Sequence, residues 1–248
     1  MKKLLSVVLA VVMLVAVFTA CSSTESNSIK FGTNAEFPPF EFIKAGGVIG
    51  DFDGIDMAIA DQIAKDMGKE VKIENMEFGS LLAALENGQV DAVIAGMTVT
   101  EERLVSVDFS EPYYVATQVM IVKEDSDIAK ASDMEGKKIA VIEGYTGETV
   151  VKDKLKYEYT SFKKGTDAVM ELVNGKADVV VIDSATAGKY VEDNEGLKIV
   201  EDNGAFDAEE YAIAIKKGNT ELLDKVNASI KKMKEENKIE EFSAKYLG

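Results

Sequence analysis

The chain has 248 residues, with 28 basic side chains, 44 acidic side chains and no histidine. Without histidine there is no Ser-His or Cys-His catalytic pair, and the commonest transition-metal ligand is missing, which excludes most hydrolases. The formal charge of −16 argues against binding to nucleic acid or to an anionic membrane surface.

The first twenty residues have the pattern of a secretory signal peptide, with a doubly basic start, an apolar run from Leu4 to Phe18, and small residues before Cys21. We predict that residues 1–20 are removed. They contain two lysines and no acid, so the mature chain has a formal charge of −18. Small residues before a lone cysteine resemble the lipobox of bacterial lipoproteins, and this resemblance implies lipid attachment at Cys21. An ordinary cleaved signal with an unpaired cysteine is the alternative.

After the linker at 21–28, apolar runs alternate with amphipathic stretches, which predicts an α/β architecture. IKFGTN is predicted as a strand, Ile55 to Met67 as a helix, and VKIENM as a second strand. A helix over Leu81 to Leu85 precedes VDAVIAG, which is apolar enough for a fully buried strand. About 220 residues with this apolar content suffice for one large domain or two small ones.

A helix–turn–strand unit occurs twice. LAALENGQVDAVIAG (82–96) and VMELVNGKADVVVID (169–183) share a leucine, an Asn-Gly pair and an aspartate at matching positions. We interpret the repeat as two similar lobes, each with its own mostly parallel sheet, although such a unit can recur by chance in an α/β protein.

The second half of the chain indicates where the lobes divide. KKIAVIEGYTGETV begins a new strand–turn–helix unit, EEYAIAIKKGN resumes a strand, and residues 221–246 have helical spacing throughout. We therefore predict a first lobe built from 29–117 and 210–248, and a second lobe over 118–209.

Candidate binding residues follow the repeated strands. AGMTVTEER carries Gly96, Thr98 and Arg103, the only arginine in the chain, and the second repeat ends at Asp183. Ligands of open α/β sheets bind beyond the carboxyl ends of strands. A guanidinium for a carboxylate and an acid for an ammonium together suit a free α-amino acid. For Asp183 a helix N-cap role is the alternative.

Four segments carry a family resemblance: FGTNAEFPPFEF, GIDMAIADQIAKDMG, LLAALENGQVDAVIAGMTVTEERLVSVDFSEPYY and IEGYTGETV. They resemble the extracellular solute-binding proteins of polar amino-acid ABC importers. The resemblance implies a two-lobed periplasmic-binding-protein-like fold (type II), with mostly parallel sheets flanked by helices and two crossover strands joining the lobes. It also implies a monomer without catalytic residues or cofactor, which closes over one amino acid and docks on a membrane permease.

The same resemblance assigns roles to individual residues. Arg103 would clamp the α-carboxylate, helped by the backbone at Thr98 and Thr146. The Gly96 carbonyl, the Thr98 hydroxyl and the Asp183 carboxylate would hold the α-ammonium group. Phe37 and Phe78 occupy positions where the family packs the ligand side chain, and simple core burial is the alternative for both.

The expected specificity depends on position 34. Several relatives that bind basic amino acids have an aspartate there, whereas this chain has Asn34. The loss of this acid favours an uncharged polar ligand such as glutamine over lysine or arginine, unless Glu36 or Glu143 supplies the charge.

Two other functions and one metal site are alternatives to this interpretation. The fold also resembles that of cyclohexadienyl dehydratases, in which Glu143 or Glu36 would have to serve as the buried acid. A sensory ligand-binding domain is a third possibility, but we expect no membrane helix or signalling module after Gly248. DFDGID (51–56) has the acid density of a calcium loop but lacks its spacing, so we expect a solvated turn before a helix and no metal site.

Overall fold

The computed structural model describes residues 27–44 and 50–247. The signal segment and Cys21 lie outside these residues. The strands are β1 (Ser28–Thr33), β2 (Glu36–Phe37), β3 (Glu41–Ile43), β4 (Phe52–Asp53), β5 (Glu70–Asn75), β6 (Ala92–Val93), β7 (Val107–Phe109), β8 (Tyr114–Lys123), β9 (Ile139–Ile142), β10 (Tyr159–Phe162), β11 (Val179–Asp183), β12 (Leu197–Val200), β13 (Ala208–Tyr211) and β14 (Ala214–Lys216). The α-helices are α1 (Ile55–Asp66), α2 (Leu81–Glu86), α3 (Glu101–Ser106), α4 (Thr146–Thr149), α5 (Gly165–Val173), α6 (Ser184–Asp193), α7 (Thr220–Glu235) and α8 (Lys238–Leu247).

Two mixed sheets form the centres of two lobes. The first sheet has the order β5-β1-β6-β14-β7, and the second has the order β10-β9-β11-β8-β12. Each combines parallel pairs (β1 with β5 and β6, β9 with β10 and β11) with antiparallel pairs made by β14 and β8. In each sheet one strand, β14 in the first and β8 in the second, runs against all the others, so the sheets are mostly parallel, as predicted.

The long strand β8 and the short strand β13 connect the lobes. The first part of β8, from Tyr114 to Thr117, pairs antiparallel with β13. The rest of β8 lies between β11 and β12 in the second sheet. The chain thus passes from the first sheet through β8 and returns through β13. The lobe boundaries expected at 117 and 210 fall inside β8 and β13. Each of these strands is shared by both lobes, so the exact boundaries stay a prediction.

The repeated units adopt the same structure in both lobes. Each has a helix, an Asn-Gly turn whose glycine has a positive φ (71° at Gly88, 73° at Gly175), and a strand. The shared aspartate of each unit accepts a hydrogen bond from the backbone N–H of a lysine: Asp91 from Lys30 at 2.8 Å, and Asp178 from Lys138 at 2.7 Å. The predicted repeat is confirmed as one local structure used twice.

Two predicted elements differ from the structure. VDAVIAG forms a strand only at Ala92–Val93, because the chain then turns at Gly96, with φ 50°, to enter the space between the lobes. The predicted helix over 221–246 is two helices, α7 and α8, since Asn237 has a left-handed backbone with φ 56°. Asparagine tolerates this conformation better than most residues.

The first lobe is closed by helices from both ends of the chain. Ile59 and Ile63 of α1 are fully buried together with Val226 and Ile230 of α7, in the same apolar cluster as the strand residue Phe31. Full burial of a large aliphatic side chain stabilises the fold by about 1.5–3 kcal/mol. Among the described residues, no helix is both long enough and apolar enough to span a membrane.

Candidate ligand-binding site

A narrow cleft lies between the two lobes, where the loops that follow the central strands meet. Its free volume is about 10 Å³. The cleft is narrow because side chains from the two lobes contact each other directly, as the Phe37 and Tyr145 rings do at 5.3 Å between centroids. The lining residues are Phe37, Phe78, Ala95, Gly96, Thr98, Arg103, Tyr145, Thr146 and Asp183. Seven of the eight residues predicted from the sequence are therefore brought together here, the exception being Asn34.

Arg103 spans the cleft from the first turns of α3. Thr100 caps this helix, and its hydroxyl accepts a hydrogen bond from the Arg103 backbone at 3.2 Å. The guanidinium donates to the carbonyls of Thr98 (2.7 Å) and Gly144 (3.0 Å), which belong to different lobes. It also lies over the Phe78 ring, 5.3 Å from the centroid. A planar fork reaches all three groups at once, and a lysine ammonium cannot.

Asp183 carries the negative charge on the other side of the cleft. It occupies the N-cap position of α6, but its carboxylate makes no capping hydrogen bond. It accepts a hydrogen bond from the Tyr211 hydroxyl at 2.6 Å instead. Burial and then the charge of Glu209 raise the pKa of Asp183 to about 7. The same desolvation lowers the pKa of Arg103, against the opposing effect of Asp183 and Glu209, and the guanidinium remains charged.

Gly96 can only be glycine at this position. Its φ is 50°, and an added Cβ would lie 2.5 Å from a ring carbon of Phe37. Its backbone N–H donates a hydrogen bond to the Asp56 carboxylate at 2.8 Å, and this bond fixes the orientation of the Gly96 peptide. The absence of a side chain lets the backbone line the cleft.

A buried pair of acids supports this loop. Asp56 is fully buried and also accepts a hydrogen bond from the Tyr113 hydroxyl at 2.9 Å, so the solvated turn predicted at this residue is wrong. Burial raises the pKa of Asp56 to about 6. Burial and the neighbouring Asp56 charge raise the pKa of Glu41 well above its ordinary value.

The predicted side-chain subsite contains a third aromatic ring. The ring of Tyr145 lies 5.3 Å from Phe37 and 4.7 Å from Phe78, centroid to centroid. Its hydroxyl donates to the Asn34 side chain at 3.0 Å, and the Asn34 amide donates to the Met76 carbonyl at 3.0 Å. Asn34 is therefore bound behind Tyr145 and does not line the cleft.

Comparison with known proteins places the chain in a family. Residues 29–248 match the model of the bacterial extracellular solute-binding proteins, family 3. The chain belongs to this family.

The similarity covers whole proteins. The arginine-binding extracellular protein ArtP of Bacillus subtilis is 34% identical over 260 residues, with 100% of this chain and 98% of ArtP covered. The ABC transporter glutamine-binding protein GlnH of the same organism is 31% identical, with the same coverage. A solved substrate-binding protein of an amino acid ABC transporter is 40% identical, has a TM-score of 0.84, and aligns over 88% of this chain and 98% of its own.

Family membership confirms three predictions. The protein is an exported amino-acid-binding protein of an ABC transporter, it has the two-lobed periplasmic-binding-protein-like fold, and it is a binding protein rather than an enzyme. The named relatives are solute-binding proteins, which supports this reading over the dehydratase alternative. The two acids that it required also differ from a buried catalytic acid, because Glu143 is exposed and Glu36 pairs with Lys164 at 2.7 Å.

Several residues of the solute-binding protein were missed in the sequence. Tyr145 stands inside the GYTGET segment, of which only Thr146 is predicted to contact the ligand. Gln118 and Glu209 belong to crossover strands whose contact with the cleft depends on the relative position of both lobes. In the described part of the chain, no group of three or more acids, histidines or cysteines is placed to hold a metal ion.

Proposed function

We propose that this solute-binding protein captures a polar α-amino acid in the cleft and delivers it to a membrane permease of an ABC importer. The observation that carries the proposal is the convergence of Arg103, Asp183 and the Gly96–Thr98 backbone on one cleft between two lobes. A guanidinium and a carboxylate on opposite sides match the two charges of an amino acid backbone.

Within this site, Arg103 binds the α-carboxylate together with backbone N–H groups at Thr98 and Thr146. Thr146 is the first residue of α4, where N–H groups have no acceptor within the helix. The Gly96 carbonyl, the Thr98 hydroxyl and Asp183 bind the α-ammonium group.

The ligand side chain would lie against Phe37 and Phe78, as predicted. An uncharged polar side chain such as that of glutamine is favoured over a basic one. Asn34 carries no charge, the Glu36 carboxylate is already paired with Lys164, and Glu143 is exposed to solvent. The named relatives bind arginine and glutamine, so both remain in the range of ligands to be tested.

Calorimetric titration with the twenty amino acids tests this function. The protein is first unfolded and refolded to remove any ligand carried over from the cell. We expect one-to-one binding of at least one polar amino acid, and a loss of at least about tenfold in affinity for Arg103→Lys because the bidentate contact is lost. Glu101→Gln, on the exposed start of the same helix, is the matched control. Binding that is equal in wild type and Arg103→Lys would contradict the assignment.

The proposal also includes a lipid anchor at Cys21 and a monomeric state. The signal-like segment before a lone cysteine supports the anchor. Partition of the exported protein into detergent, lost in Cys21→Ala, would show the lipid, and light scattering would give the oligomeric state.

A further inference from the structure

Glu209 joins the two lobes through one carboxylate oxygen. Its Oε2 accepts hydrogen bonds from the Thr146 hydroxyl at 2.6 Å and from the Thr98 hydroxyl at 2.9 Å. The side-chain amide of Gln118 lies 3.3 Å from the same oxygen. Glu209 itself belongs to β13, one of the two strands that connect the lobes.

These contacts fix the direction in which each hydroxyl points. A carboxylate only accepts hydrogen bonds, so each threonine hydroxyl donates its single proton to Glu209. The Thr98 oxygen then presents lone pairs, which accept a hydrogen bond from an ammonium group. The Thr146 oxygen already accepts a bond from Gln118 at 3.0 Å. Its hydroxyl thus cannot donate to the ligand carboxylate, and only its backbone N–H remains for that purpose.

We propose that Glu209 is a positioning residue, which holds the Thr98 hydroxyl as an acceptor for the α-ammonium group and ties it to Thr146 of the other lobe. This inference rests on the proposed function. Glu209 is then a negative group that lies behind the cleft and is not one of the residues that line it.

The arrangement also couples recognition to closure. Thr98 follows the first sheet, Thr146 follows β9 of the second sheet, and Glu209 lies between them on a connecting strand. All three meet only when the lobes are together. The contact with Thr146 is the part of this arrangement that depends on closure, because Thr98 is already held next to β13 by the hydrogen bond from the Val99 backbone N–H to the Glu210 carbonyl at 2.9 Å.

A double-mutant cycle with Thr98→Val tests the inference. The panel of twenty amino acids is titrated into wild type, Glu209→Ala, Thr98→Val and the double variant, and the cycle is evaluated for the amino acid that binds wild type most tightly. We expect Glu209→Ala to weaken binding by about tenfold to hundredfold, since a hydrogen bond to a charged group is lost. In the Thr98→Val background the same substitution should cost less than about threefold, because the hydroxyl that it orients is gone.

Glu210→Ala is the matched control, since this neighbouring acid on β13 is exposed. Equal effects of Glu209→Ala in both backgrounds would overturn the positioning role and leave a merely structural one. A Glu209→Ala variant that binds as wild type does would also overturn it.

The pH profile gives a second readout. Asp183 faces Arg103, Glu41, Tyr145 and Tyr211 as well as Glu209. Asp183 has to be ionised to bind an ammonium group, so wild-type affinity should fall as the pH drops below about 7.

Removal of the Glu209 charge lowers the pKa of Asp183 and should move this fall in affinity to a lower pH, whereas Glu210→Ala should leave it in place. An unmoved profile contradicts the inference. If no amino acid binds wild type, the proposed function fails and the role of Glu209 falls with it. If wild type binds an amino acid but Glu209→Ala has equal effects in both backgrounds, the proposed function is retained and the role of Glu209 is rejected.

Discussion

At the scale of single residues, the binding chemistry depends on groups that two lobes hold in contact. Arg103 is bonded to carbonyls of both lobes and stacked on Phe78, which explains why this one position has arginine where every other basic residue is lysine. Asp183 has the complementary role in the proposed site. Its pKa of about 7 means that its charge, and therefore the proposed ammonium site, is sensitive to pH near neutrality.

Tyr145 should limit the length of the ligand side chain. Its ring lies between Phe37 and Phe78, where an extended side chain would otherwise pack. We expect Tyr145→Thr to raise the affinity for arginine relative to glutamine by about tenfold, because a small residue leaves room for the longer chain.

Competition titrations with the two amino acids measure this ratio. Tyr145→Phe is the matched control, since it keeps the ring and removes only the hydrogen bond to Asn34. If arginine gains as much in Tyr145→Phe as in Tyr145→Thr, the hydroxyl rather than the size of the ring sets the selectivity.

At the scale of elements, each copy of the repeated helix–turn–strand unit brings a hydrogen-bond acceptor to the same cleft. The first copy ends in Gly96, whose backbone lines the cleft, and the second copy ends in the Asp183 side chain. The shared aspartates Asp91 and Asp178 hold each copy to the neighbouring strand in the same way. One local structure therefore positions both halves of the proposed ammonium site.

The break between α7 and α8 allows a test of backbone conformation alone. Asn237 is exposed and has φ 56°, so its side chain adds little packing. We expect Asn237→Val to lower the free energy of unfolding by about 1–2 kcal/mol, since a β-branched residue is strained in the left-handed region. Asn237→Gly should leave stability unchanged or raise it slightly.

Urea unfolding of both variants measures these changes. A Val variant as stable as the wild type would contradict the expected strain. Joining α7 and α8 into one straight helix would not explain such a result, because Ile239, buried on α8, would lose its present contacts.

At the scale of the whole molecule, buried acids should make stability depend on pH. The folded-state pKa of Glu41 is raised well above its ordinary value, and that of Asp56 is raised to about 6. The folded state thus binds more protons than the unfolded chain, so this contribution is present at low pH and is lost as the pH rises through the folded pKa values. We expect the wild-type Tm to fall by a few degrees between pH 5 and pH 8.

Glu41→Gln should show a smaller fall, because its amide does not ionise while Asp56 still does. Glu74→Gln, an exposed acid on β5, is the control. Lysine partners lower the pKa values of Asp66 and Asp108. These two acids therefore lower the stability as the pH falls, but only at more acidic pH than the range measured here. Scanning calorimetry at several pH values measures the trend, and an identical slope in Glu41→Gln and wild type would contradict it.

The sequence by itself determined the α/β class, the repeat, the family and seven of the residues that line the cleft. These features follow from local patterns, such as Asn-Gly turns and strand ends, or from motifs read in order along the chain. It also led to the prediction that Arg103 binds a carboxylate, because only one position in the sequence has a guanidinium.

Only the tertiary structure decided the remaining contacts. Glu209 meets Thr98 and Thr146, Tyr145 fills the space beside Phe37, and Asp56 is buried, because segments distant in sequence converge where the lobes close. No local pattern encodes such distances. A side chain on a connecting strand has the same sequence signature whether it faces solvent or the other lobe.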